Sequence, residues 1–185
     1  MRRADFEHVI AAAAYVSEER EIVVIGSQAI LGAVNEPPES MLVSMEADIY
    51  PLNAPEKAIE IDGSLGEGSA FQGTYGYYAH GVGPETAKAP GGWEERLVRV
   101  EIPPRVGRIG GAVALCLEPH DLVLAKCVAG RDRDWEFARD ALAADLVQTE
   151  ELLRRAEDLP TPASDRTRIR KLLEGIVERL DSPKS

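Results

Sequence analysis

Two acids two positions apart, Glu46 and Asp48 in the stretch SMEADIYP, are the pair best placed to do chemistry. Ile49 and Tyr50 follow them, residue types that favour strands. Alternate residues of a strand share a face, so both carboxylates point one way while Ala47 and Ile49 point the other. Like charges side by side on a sheet repel. A proton on one acid, or a divalent cation between the two, relieves that repulsion. Mg2+ prefers carboxylate oxygens together with substrate phosphates, and two ions about 3.5–4 Å apart bridge the attacking and leaving oxygens in phosphoryl transfer. The competing explanation is a solvated strand face carrying ordinary acids.

Upstream, Gly26 and Ser27 separate an apolar stretch, EIVVI, from a helical one, QAILGAV. Backbone N–H groups and the positive end of a helix at such a turn suit a phosphate, and glycine lets the backbone approach a ligand closely. Ser27 can also cap the helix. His80 lies in a glycine-rich stretch. His120 and Asp121 form no triad, because neighbours on a helix do not face each other. No cysteine–histidine spacing suits zinc. Tyr75, Tyr77, Tyr78 and Trp93 are candidates for stacking on a base, although burial is the commoner role of such residues.

The elements that must position these groups follow from periodicity. Phe6, Val9, Ile10, Ala13 and Val16 predict a helix over 4–19. Strands are expected at 21–25 and within 41–52, with a loop at 35–40 and a helix over 55–62 that has Pro55 near its first turn. Residues 63–92 read as a long irregular segment. WEERLVRVEI (93–102) alternates, with Val98, Val100 and Ile102 on one face and Leu97, Arg99 and Glu101 on the other. Residues 113–117 form another strand. Helices follow at 119–130, 132–144, 149–158 and 162–181, the last two separated by Pro160 and Pro162. The expected fold is α+β: a small mixed sheet within a core of residues 1–118, and a helical C-terminal part, 119–185, packed on that core.

With 44% apolar and 29% charged residues among 185, the composition is that of a folded protein. A formal net charge of −11 argues against a generic nucleic-acid coat, although Arg154, Arg155, Arg166, Arg168, Arg170 and Lys171 gather in the tail. No apolar run is long enough to span a membrane. Cys116 and Cys127 lie in apolar stretches, which predicts buried thiols in a reducing compartment, the cytoplasm being the simplest.

VVIGSQAIL followed by MEADIYP resembles the nucleotidyltransferase superfamily of the DNA polymerase β type. YGYYAHGVGPETAKAPGGWEERLVRV and LEPHDLVLAKCVAGRDRDWEFARDAL resemble a narrower branch, the small bacterial DUF6036 proteins related to the AbiEii and MenT toxins of toxin–antitoxin pairs. The resemblance covers most of residues 20 to 145. It implies that Gly26 and Ser27 hold the triphosphate of an NTP, and that Glu46 and Asp48 hold Mg2+. It also implies that Lys126 supports the nucleotide, that Asp134 is an acid of the later helix, and that Arg131 contacts phosphate. Ser44 falls where related toxins carry a modifiable hydroxyl. The implied reaction moves a nucleoside monophosphate from an NTP to an acceptor such as the 3′ end of tRNA, with an antitoxin protein as partner. A small-molecule or protein hydroxyl as acceptor, or a non-catalytic nucleotide- or antitoxin-binding role, are the alternatives. Two departures stand out. Glu46 replaces the usual aspartate, and no third carboxylate is obvious; Glu101 is the candidate for that third metal ligand.

Overall fold

Apolar residues recur three and four apart along the first helix, and the fold uses that stripe. In the computed structural model, which describes residues 1–104 and 111–182, helix α1 (Arg3–Ser17) buries Phe6, Val9, Ile10 and Ala13 completely. Full burial of each of the larger ones, Phe6, Val9 and Ile10, contributes about 1.5–3 kcal/mol. Five strands form one mixed sheet: β1 (Glu21–Val24), β2 (Glu46–Pro51), β3 (Tyr78–Gly81), β4 (Val98–Ile102) and β5 (Ala112–Cys116). Their order is β3-β2-β1-β5-β4. The β1–β5 and β2–β3 pairs are parallel, and the β1–β2 and β4–β5 pairs antiparallel. The architecture is α+β with a helical C-terminal region.

Cross-strand partners share a face of the sheet. Ile22, Val24, Ala47, Ile49, Ala114 and Cys116 therefore form one apolar face, all of them fully buried. Helix α2 (Ile30–Ala33) lies against it, with Gly32 so near Cys116 that a Cβ there would stand 2.5 Å from the cysteine Cβ. Helix α3 (Ala58–Leu65), preceded by a 3-10 turn that starts at Pro55, packs beside β3 and against α1. Gly81 permits that approach, because a Cβ on it would meet the Ala58 carbonyl oxygen. Glu46 and Asp48 stand on the opposite face, as the alternation requires.

The structure corrects three expectations. Residues 63–92 are not one irregular segment: they hold helix α4 (Ala70–Tyr75), capped by the Ser69 hydroxyl, and strand β3. Glycines at 76, 81 and 83 obscured that short strand, whose stability comes from pairing with β2. The alternation at 93–102 begins only at Val98, since Trp93–Arg96 form a 3-10 turn. The second strand lies within the expected 41–52, starting at Glu46 after a 3-10 turn over Glu39–Leu42. QAILGAV is a 3-10 turn, Ser27–Ala29, running into the single turn of α2, and Ser27 is not its cap; Gly26 takes that position, with no side-chain bond.

The chain divides into two compact units. One comprises the described residues of Met1–Thr86 and Arg96–Glu118, and the other those of Ala87–Glu95 and Pro119–Ser185. The second unit contains α5 (Pro119–Ala129), α6 (Asp132–Ala143), α7 (Thr149–Arg155) and α8 (Ala163–Asp181). Its core includes Leu122, Leu124, Ala138, Ile169 and Leu173. The segment 87–95 joins it through Gly91, whose N–H donates to the Asp158 carbonyl at 3.0 Å. Both cysteines are buried free thiols, pushed up by burial to about 12. Among the described residues, no helix is long and apolar enough to cross a membrane.

Candidate active site

Strand β2 brings Glu46 and Asp48 to one face, and β3 adds two residues beside them. The register pairs Glu46 with Tyr78 and Asp48 with His80. His80 Nδ1 lies 2.9 Å from Glu46 Oε1 and 3.0 Å from Asp48 Oδ1. The Tyr78 hydroxyl donates to Glu46 Oε2 at 3.2 Å. Glu46, Asp48 and His80 each offer a ligand atom, all within 4.8 Å of one another.

The electrostatics follow from that crowding. Burial, and then the hydrogen bond and charge of Glu46, push the Asp48 carboxyl up to about 6. Burial pushes Glu46 in the same direction, but hydrogen bonding to Asp48 and the influence of His80 and Tyr78 outweigh it and hold Glu46 below its ordinary value. His80 is raised: burial opposes its charge, and the bond to Asp48 with the charges of both acids overcomes that. Burial and Glu46 push the Tyr78 phenol up to about 12, so it stays a hydrogen-bond donor. The face thus favours positive charge.

The turn at Gly26 meets this site directly. Ile25 N–H donates to the Asp48 carbonyl at 3.0 Å, and Gly26 passes close to the Asp48 side chain. Ser44 braces the start of β2: its hydroxyl accepts from Glu46 N–H at 3.1 Å and lies 3.2 Å from the Glu46 carbonyl oxygen. The buried Gln28 side chain donates to the Ser44 carbonyl at 2.9 Å. Ser27 opens the 3-10 turn that follows Gly26.

Glu101 is not brought to the acid pair. It shares their face, but β1 and β5 lie between β4 and β2, three inter-strand spacings of about 4.8 Å. There it accepts from Arg20 and Arg99, each at 3.1 Å. The side chain that the sheet brings beside the pair is instead His80. The sequence carried a signal for it: Tyr78-Ala79-His80 repeats the two-residue spacing of Glu46-Ala47-Asp48.

The second unit gathers Lys126, Arg131 and Asp134. Asp134 is fully buried and accepts from Lys126 Nζ at 3.2 Å, Arg131 Nε at 2.7 Å and Arg131 N–H at 3.2 Å. Lys126 Nζ also lies 4.8 Å from the Phe137 ring centre. Burial draws the ammonium below its ordinary value, although Asp134 opposes this. For Asp134, burial is outweighed by Arg131 and Lys126, which keep the carboxyl low. His120 Nε2 accepts from Gln148 N–H at 2.9 Å, and buried Asp121 accepts from Arg155 at 3.0 Å. The tail arginines also have acidic or carbonyl partners: Arg154 pairs with Glu151, Arg168 with Asp165 and Arg170 with Glu157, and Arg166 donates to the Thr161 carbonyl at 2.6 Å.

An apolar strand, a Gly-Ser turn, a short helix and an acid-x-acid strand thus stand together on a mixed sheet. The chain belongs to the DUF6036 family, described as a nucleotidyltransferase of unknown function, whose model matches residues 4–179. No curated protein and no solved structure matches it. Membership in a nucleotidyltransferase family makes the chain an enzyme with an NTP as the implied substrate and a divalent cation as the implied metal. The donor set fits such a cation, because two carboxylates and an imidazole converge on a face where positive charge is favoured.

Proposed function

We propose that this protein transfers a nucleoside monophosphate from an NTP to a hydroxyl acceptor and releases pyrophosphate. The observation that carries the reading is the convergence of Glu46 and Asp48 on one sheet face beside the Gly26 turn. Glu46 and Asp48 hold the divalent cation, Mg2+ in the simplest form of the family's chemistry. When bound, that cation neutralises the triphosphate and lowers the cost of developing negative charge. Gly26 and Ser27 position the phosphates, and Tyr78 fixes the Glu46 carboxylate through its hydrogen bond. The family resemblance alone assigns Lys126 and Arg131, both bonded to Asp134, to the nucleotide. Most of the catalytic effect in this reaction class comes from positioning and electrostatics of this kind.

The proposed acceptor is an RNA hydroxyl such as the tRNA 3′ end, with the chain acting as the toxin of a toxin–antitoxin pair and a cognate antitoxin protein as partner. The resemblance to MenT and AbiEii toxins supports this. A phosphate on Ser44 would break its bonds with Glu46 and add negative charge beside two acids, so Ser44 is the assigned regulatory hydroxyl. A second reading, with a small-molecule or protein hydroxyl as acceptor, is favoured by one observation: the tail arginines that would bind an RNA backbone already have partners, in a chain of net charge −11.

The deciding experiment incubates the protein with each labelled NTP, a divalent cation and total RNA, with Asp48→Ala as control. Label entering RNA only with the unmodified protein supports RNA as acceptor. Pyrophosphate release with label in small molecules or protein selects the second reading. Equal transfer by Asp48→Ala would overturn the site assignment.

A further inference from the structure

We infer that His80 Nδ1 is a third ligand of the cation held by Glu46 and Asp48, and that this imidazole turns the preference of the site from Mg2+ to Mn2+. The inference rests on the reading of Glu46 and Asp48 as a cation site, and adds a ligand and a metal to it.

Geometry comes first. Neighbouring ligands of an octahedral ion with bonds of about 2.1 Å stand √2 times that far apart, about 3.0 Å. His80 Nδ1 is 2.9 Å from Glu46 Oε1 and 3.0 Å from Asp48 Oδ1. Both separations match an octahedral edge without movement of the backbone. The strands supply the precision: His80 and Asp48 are register partners on adjacent parallel strands, and neither is carried by a loop. Each flanking group is itself held, Glu46 by Tyr78 and Asp48 by its close packing against Gly26.

Ligand chemistry then chooses the metal. Mg2+ takes oxygen ligands and gains little from an imidazole, whereas first-row transition ions accept nitrogen and carboxylate together. Mn2+ is the one among them whose oxygen affinity still resembles that of Mg2+, so it accepts phosphate oxygens as well.

The same distances also describe an imidazolium bonded to both carboxylates, a charge that an incoming cation would have to displace. The two arrangements predict opposite signs. If His80 ligates, removing it weakens cation binding; if it only neutralises the acids, removing it strengthens binding.

The experiment uses the full chain without nucleotide. Mn2+ and Mg2+ binding are measured by calorimetry for the unmodified protein, His80→Ala, His80→Asp and Asp48→Ala, with melting curves confirming that each is folded. The expected result is Mn2+ preference in the unmodified protein, a loss of about tenfold or more in Mn2+ affinity in His80→Ala with Mg2+ affinity nearly unchanged, and erased preference in His80→Asp. Pulsed EPR of bound Mn2+ should show nitrogen coupling in the unmodified protein and none in His80→Ala. Mn2+ binding by His80→Ala that equals or exceeds that of the unmodified protein overturns the inference. If Asp48→Ala abolishes binding while His80→Ala keeps the Mn2+ affinity of the unmodified protein, only the role of His80 falls. If no divalent cation binds the unmodified protein, or Asp48→Ala binds it equally well, the cation site itself falls.

Discussion

Gly26 lies so close to Asp48 that a Cβ on the glycine would stand 2.1 Å from Asp48 Oδ2. Its φ of −82° is open to any residue, so the demand for glycine here is one of space, not of backbone conformation. Gly26→Ala must therefore push the carboxylate aside. Displacement of a reacting group by about 1 Å costs roughly a hundredfold in rate, and that loss is expected in nucleotidyl transfer. Circular dichroism should stay close to that of the unmodified protein. Full activity in this variant would show that Asp48 does not need its present place.

Asp48 also predicts an exchange of stability for function. Its carboxyl is raised to about 6 in the fold, from 3.8. A raised acid contributes stability that is fully present below its unfolded value and is lost as pH rises through the folded one. At pH 7.5, without divalent cation, the ionised Asp48 thus weighs against the fold, by at most about 3 kcal/mol. Asp48→Asn should melt higher than the unmodified protein at pH 7.5, and this advantage should vanish near pH 4. Urea denaturation in a chelator at the two pH values measures it. A gap that does not change with pH would contradict the cause assigned here.

Asp134 and Lys126 separate a structural from a functional role. Asp134→Ala leaves the Lys126 ammonium, drawn inward and only 15% exposed, without its carboxylate. Breaking such a pair from one side costs about 3–5 kcal/mol, read in the denaturation midpoint. Lys126→Met leaves Asp134 bonded to Arg131 and should cost distinctly less. Lost transfer in Lys126→Met with a nearly unchanged midpoint is the signature expected of a nucleotide-binding lysine. Unchanged transfer would confine Lys126 to packing.

Ser44 offers a test of regulation. Ser44→Ala removes the brace on the Glu46 backbone, at a cost of about 1 kcal/mol, and should retain most transfer. Ser44→Glu places a third negative charge beside the acids and should lower transfer far more. Equal effects in the two variants would remove Ser44 as a switch.

The acid pair and its shared face were legible in the sequence, because strand alternation is a local property and Glu46-Ala47-Asp48 declares it. The α1 stripe, the apolar strands and the C-terminal helices were legible for the same reason: each has a period set by its own backbone. The Gly26-Ser27 turn could be located, but not the steric need for glycine, which depends on where β2 passes. The order of the strands was decided only by the tertiary structure. That order sets Glu101 three spacings from the pair and brings His80 beside it, since partners in a sheet are chosen by long-range pairing and not by the residues between them. That Lys126 turns inward was not legible locally; the packing of α5 with α6 gives it Asp134 as its partner. Sequence therefore determined which groups are capable of the chemistry, and the sheet determined which of them meet.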